Sequence, residues 1–292
     1  LTNITIPDGV TNIGEMTFSG CTSLISITIP TSVTSIGEWA FSSCSSLSKV
    51  VLPNGVTCIK YRTFAYCNAL TNIVIPNSVT SIGSEAFINC TSLTSINIPD
   101  SVTIISDWAF CECKKLNRMT IPDSVYEIGE GAFCNCALLD ELEIPDSVTV
   151  IGENAFYECT ALEYVKLPAS LEEAGWRCFQ DCDKLSTIVM PQGITTNFGQ
   201  WFFLSCDSLT DIDFHTSPII GMAMYANCNG LTNLNIPDCV TTISGFAFDY
   251  CENLSYVTIP ASVTEFGAKP FNDCPKLKAL AFRGDAPAFH EF

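Results

Sequence analysis

The stretch Ile96-Asn97-Ile98-Pro99-Asp100-Ser101-Val102-Thr103-Ile104-Ile105-Ser106-Asp107-Trp108-Ala109-Phe110-Cys111-Glu112-Cys113 decides how this chain folds. Ile96 and Ile98 flank a polar residue, the period-two alternation of a half-buried strand. Pro99 has no N–H to give a ladder and ends that strand. Ser106 stands where other copies carry Gly14, Gly37 or Gly83, a turn position where a side chain is awkward. The remaining Ala109-Phe110-x-x-Cys113 is too short for a stable helix of its own. A single helical or 3₁₀ turn is expected there, held by Phe and Cys packing inward.

Working outward from this stretch, the same pattern recurs along the whole chain. Leu occurs every 23 residues from Leu1 to Leu185, then at Leu209, Leu231, Leu254 and Leu277, so a step of 24 is followed by one of 22. A Phe ladder runs from Phe18 to Phe271 with Tyr225 as its one substitution, and a Cys ladder runs from Cys21 to Cys274. This reading gives one solenoid over 1–292, with twelve full repeats and a partial thirteenth that closes the array at 277–292. One coil cannot bury its Leu, Ile, Val and Phe alone, but stacked coils form a continuous core. Every coil runs the same way, so its strands must be parallel. The irregular repeats between Leu185 and Gly230 hold Phe198, Trp201 and Phe202 on one side and Ser217-Pro218-Ile219-Ile220 on the other. A local disturbance of curvature is expected there.

The motif I-x-I-P-x-S-V-T-x-I-G-x-x-A-F-x-x-C resembles the BspA-type leucine-rich repeat, and the likeness covers nearly the whole chain. Phe282-Arg283-Gly284-Asp285-Ala286-Pro287 also looks like the closing segment of such arrays. The resemblance implies a leucine-rich repeat solenoid, α/β to mainly β. It would be a right-handed superhelix with a parallel sheet on its concave face and short 3₁₀ or helical turns opposite. It further implies a cell-surface or secreted protein of a host-associated microbe, linked to adhesion to host matrix or cells, with no shared catalytic residues.

Composition narrows the partners. The net charge is −18, from 31 acidic against 13 basic residues. Phosphate backbones and anionic membranes both select for clustered Lys and Arg, so nucleic acid and lipid surfaces fit poorly. Only 15% of residues are charged, against about 25% in an average globular domain, which leaves the surface to Ser, Thr and Asn. No apolar run approaches the roughly 18 residues of a membrane span. The chain opens at Leu1 inside a repeat and without Met, as expected of a mature or truncated chain, so the missing signal peptide says little about location.

Several features invite chemistry. Of seventeen cysteines, those on the ladder read as small buried hydrophobes. Cys58, Cys111, Cys134, Cys178 and Cys239 lie off it. Cys111 and Cys134 occupy equivalent positions in adjacent repeats; unpaired thiols are expected first, then a disulfide, then zinc with Cys113 and Cys136. The rows Asp100/Asp123/Asp146 and Asp107/Glu130/Glu153 read as a solvated acidic edge, with calcium as the alternative. No metal or cofactor is expected. His215 and His290 have no nucleophile placed beside them, so an enzyme is not expected. Arg283-Gly284-Asp285 spells a tripeptide that integrins recognise, but it reads first as a turn. The sequons at Asn3, Asn89 and Asn253 read as chance in a Ser- and Thr-rich chain.

Outward strand positions are the third and fifth of each repeat. Early repeats hold Asn3, Thr5, Ser26 and Thr28, whereas later ones hold Arg118, Glu141, Glu143, Tyr164, Lys166, Asp211, Asp213 and Tyr256. Arg and Tyr favour binding hot spots, and mixed charges discriminate partners. The concave face of repeats six to eight is therefore the candidate contact patch. Trp39, Trp108 and Trp201 precede the Ala-Phe pair and are expected to lie flat on the solenoid edge, with a lateral binding surface as the alternative. The leading expectation is a non-catalytic adhesin that recognises a host extracellular matrix or cell-surface protein. A structural spacer and an intracellular interaction scaffold remain alternatives.

Overall fold

The computed structural model describes residues 2–190, 198–210, 212 and 217–284. It resolves into two compact units, Leu1–Asp140 and Glu141–Phe292. Both are parallel β-solenoids of stacked coils.

In the first unit, strands Asn3–Thr5, Ser26–Thr28, Lys49–Val51, Asn72–Val74, Ser95–Asn97 and Arg118–Thr120 form one parallel ladder. Each residue pairs with its counterpart 23 positions on, as in Ile4↔Ile27 and Ile73↔Ile96. Shorter strands, such as Ser81–Ile82 and Ile104–Ile105, make a second parallel row. The second unit repeats this plan. Its first row contains Glu141–Glu143, Tyr164–Lys166 and Thr187–Val189, then Asn233–Asn235, Tyr256–Pro260 and Ala279–Arg283. Its second row contains Val150–Ile151 paired with Glu173–Ala174, and Ile219–Ile220, Thr242–Ile243 and Glu265–Phe266.

The core follows from the repeat. Leu24, Val33, Phe41 and Cys44 are completely buried, as are Leu93, Val102, Phe110 and Cys113 three coils on. From Phe41 to Phe133 the rings stack with centroids 5.3–5.5 Å apart and tilts of no more than 9°. Each such pair adds about 0.5–1.5 kcal/mol beyond the burial of its area. Phe202 replaces the usual Ala before Phe203, and it packs edge-on against Phe203 and beside Phe198. Ser hydroxyls of the S-V-T segment donate to the Val carbonyl of the preceding coil, as Ser101 does to Val79 at 2.5 Å.

The ladder cysteines do more than fill space. Thiols along the ladder donate to the carbonyl of the ladder aromatic one coil earlier: Cys67 to Phe41 at 3.2 Å, Cys90 to Phe64 at 3.2 Å, and Cys251 to Tyr225 at 3.3 Å.

The expected helical or 3₁₀ turn is corrected: among the described residues there is no helix of either kind. The segment is a chain of tight turns bonded sideways. Ala40 N–H and Cys44 N–H bond three residues back, to Gly37 and Phe41, but Trp39, Phe41 and Ser43 donate to Tyr61, Thr63 and Ala65 of the next coil. Trp39 and Ser43 have φ of 58° and 59°. Left-handed residues cannot sit inside a right-handed helix. At the third position of a four-residue turn they turn alternate amides outward, toward the neighbouring coil.

Candidate functional site

The outward face of the first strand row carries the side chains that the core does not use. In the second unit Glu141 pairs with Tyr164 and Glu143 with Lys166, and Tyr164 and Lys166 pair in turn with Thr187 and Val189. Glu141, Glu143 and Lys166 are exposed and Tyr164 is half-buried, while Leu142 and Val165 between them face the core. Strand pleat alone dictates this division. Cross-strand neighbours on one face lie about 5 Å apart, close enough for a carboxylate, a phenol and an ammonium to act on one ligand surface. Tyr256 is 43% exposed on Tyr256–Pro260, beside Asn233. Arg118 is exposed on the outward face of the first unit, paired with Ser95. Asp211 and Asp213 lie outside the described residues, as do His215 and His290.

Sequence reasoning missed one part of this face. Val51 and Val74 are neighbours in the first unit and are 56% and 64% exposed. Both occupy the fifth strand position, so the register that singled out Glu143 and Lys166 also marks them.

The edge formed by the turns is built differently. Arg62 lies over the Trp39 ring at 4.5 Å and the Tyr61 ring at 5.2 Å. Its guanidinium pairs with Glu85 at 2.5 Å, and Tyr61 donates its hydroxyl to the same carboxylate at 3.1 Å. Desolvation and the Glu85 hydrogen bond both push the Tyr61 phenol up. Desolvation pulls the Arg62 guanidinium down, but the Glu85 hydrogen bond and charge outweigh it and the net shift is upward. Trp39 and Trp108 are each half-buried, and Trp108 lies directly on Gly131. In the second unit Arg177 sits 5.2 Å from the Trp201 ring, and Trp176, which the repeat pattern did not single out, is 49% exposed.

The acidic rows have local work. Asp107 accepts the Glu130 amide at 2.9 Å and Asp146 accepts the Ala169 amide at 2.9 Å, so these carboxylates bond backbone of the adjacent coil. Among the described residues no group of three or more acidic, His or Cys side chains is arranged to hold a metal ion. None of the seventeen cysteines is joined in a disulfide. Arg283 donates to Asn235 and lies 3.9 Å from Asp238, while Asp285 lies outside the described residues. Asn253 donates its side-chain amide to Asn229 at 2.8 Å and accepts from Lys276 at 2.6 Å, so the group a glycan would use is engaged. Among the described residues no helix is long and apolar enough to cross a membrane.

Parallel coils of one 23-residue motif, with Leu, Phe and Cys turned inward, define a leucine-rich repeat protein. The chain belongs to the BspA-type family: the BspA type Leucine rich repeat region matches over residues 1–117, 103–221 and 218–291, in six copies. The family is generally a non-enzymatic protein-interaction fold. A leucine-rich repeat protein of Bacteroides ovatus is 28% identical, with a TM-score of 0.69 over 95% of this chain and 86% of that one. A leucine rich cell surface protein of Faecalibacterium prausnitzii is 29% identical, with a TM-score of 0.55 over 98% of this chain and 80% of that one. The pneumococcal vaccine antigen PcpA, at 20% identity and a TM-score of 0.53 over 97% and 78%, shares the fold. None of the curated proteins compared matches this chain.

Proposed function

We propose that this chain is a cell-surface or secreted adhesin module that binds a host matrix or cell-surface protein without catalysis. The reading rests on the outward face of Glu141–Glu143 and Tyr164–Lys166, where carboxylates, a phenol and an ammonium stand in register on a rigid ladder. A rigid strand face holds its side chains with little ordering cost on binding, and alternating charge selects among partners. The family supports a protein-interaction role, and the likeness to a leucine rich cell surface protein supports the location. Nucleic acid is a poor partner at a net charge of −18.

The test is binding of the isolated chain to immobilised extracellular matrix proteins and to host cells. Tyr164→Ala with Lys166→Ala should weaken binding at least tenfold with unchanged circular dichroism, and Arg118→Ala reports separately on the first unit. No binding by the native chain would favour a structural spacer. Binding that survives the double substitution would move the contact to another face.

A further inference from the structure

The dipeptide Asn-Gly occurs twice, at Asn54-Gly55 and Asn229-Gly230, and the two sit in opposite surroundings. In the first unit Pro53, Asn54, Gly55 and Val56 form a turn closed by the Val56 N–H, which donates to the Pro53 carbonyl at 3.1 Å. Asn54 is exposed. Among the described residues, neither its side-chain amide nor the Gly55 N–H has a hydrogen-bond partner. Equivalent turns are anchored where this one is not. Ser78 and Ser101 stand at the position of Gly55 and donate to the Val56 and Val79 carbonyls at 2.6 Å and 2.5 Å.

Asn229, in the second unit, is held from three sides. Its side-chain amide donates to Asp207 at 3.1 Å and to Asn227 at 3.2 Å, and its oxygen accepts the Glu252 N–H at 3.1 Å. Gly230 is packed so closely that a Cβ there would lie 2.5 Å from the Leu209 carbonyl oxygen.

We propose that Asn54 is a site of spontaneous deamidation in the folded protein, becoming isoaspartate and aspartate, while Asn229 is preserved. The reaction needs an Asn side chain free to swing over the next amide, and a next residue without Cβ to obstruct it. Solvent hydroxide removes the Gly55 amide proton, and that nitrogen attacks Asn54 Cγ. The N–Cγ bond forms, the Cγ–Nδ2 bond breaks, and the nitrogen leaves as ammonia with a proton from water, which regenerates hydroxide. Water then opens the cyclic imide at either carbonyl: cleavage at Cγ gives aspartate, and cleavage at the main-chain carbonyl gives isoaspartate. One water is consumed and one ammonia released. Asn229 would have to give up three hydrogen bonds to enter the same path, and Gly230 has no room to pivot.

The new charge falls on a row that already carries it. Asp100, Asp123 and Asp146 stand at the position of Asn54 in later coils, and Asp146 accepts the Ala169 N–H of the next coil at 2.9 Å. Aspartate at this position adds to that row, whereas isoaspartate inserts an extra carbon into the backbone of the turn.

The experiment incubates the folded chain at mildly alkaline pH and body temperature. It is then digested at mildly acidic pH in heavy-oxygen water, which marks conversion during handling, and mapped by mass spectrometry. The Asn54 peptide should give two separable products, each one mass unit heavier, at least tenfold faster than Asn229 and than Asn77, which precedes the anchored Ser78. In guanidinium chloride Asn229 should react about as fast as Asn54, because the fold alone protects it. Equal rates at Asn54 and Asn229 in the folded chain would overturn the proposal. So would an Asn54 that persists while the unfolded chain converts, or an Asn229 that stays slow when unfolded.

Discussion

Gly131 offers a sharp test of how the turn edge is packed. Its φ is +55°, and a Cβ built there would lie 2.3–2.6 Å from three ring carbons of Trp108 in the preceding coil. Asn154 and Arg177 adopt the same conformation with φ of 54°, so the backbone itself tolerates a side chain. The Trp108 ring is the obstacle. Gly131→Ala should cost about 1–2 kcal/mol for the left-handed backbone and about 1–3 kcal/mol more for displacing the indole. Trp108→Ala removes the obstacle, so in that background Gly131→Ala should cost only the backbone part. The coupling of about 1–3 kcal/mol is read from urea midpoints of the four proteins, followed by far-ultraviolet circular dichroism. A Gly131→Ala cost that is the same with and without Trp108 would refute the reasoning.

Three further outcomes follow from the same geometry. Burial pushes Cys44 up to about 11 and Cys113 up to about 12, against 9.0 for an ordinary thiol. Above pH 9 only the unfolded chain loses these protons, so stability present below that pH falls as pH rises toward 11–12, by about 1.4 kcal/mol per pH unit for each fully buried thiol; a flat urea midpoint between pH 8.5 and 10.5 would contradict this. Arg62→Lys keeps the charge but loses the planar contact with Trp39 and Tyr61 and should lower stability by about 1 kcal/mol, which thermal unfolding measures; no change would mean that the stacking contributes nothing. Ser101→Ala removes the bond to the Val79 carbonyl and should cost about 1 kcal/mol in urea unfolding, whereas the exposed Thr120→Ala serves as the neutral control.

Much of this molecule could be read from residue order. A 23-residue spacing of Leu, Phe and Cys requires stacked coils, because no single coil can cover its own apolar side chains. The alternation at Ile96-Asn97-Ile98 places Ile96 and Ile98 inside and Asn97 outside, since strand side chains alternate by geometry. The same alternation put Glu141, Glu143 and Lys166 on the outward face. Burial of the ladder cysteines and the parallel register follow from the repeat as well.

Tertiary structure decided what depends on the neighbouring coil. Ala-Phe-x-x-Cys has the length of a helical turn, but its amides at Trp39, Phe41 and Ser43 bond across to Tyr61, Thr63 and Ala65; a local pattern carries no information about partners 22 residues away. Arg62 reads as a surface charge until Trp39, Tyr61 and Glu85 converge on it. Cys111 and Cys113 were both visible as cysteines of one repeat, yet that Cys113 donates to the Phe87 carbonyl depends on side-chain direction within the turn. Spacing determined the coils, and packing between coils determined what each side chain does.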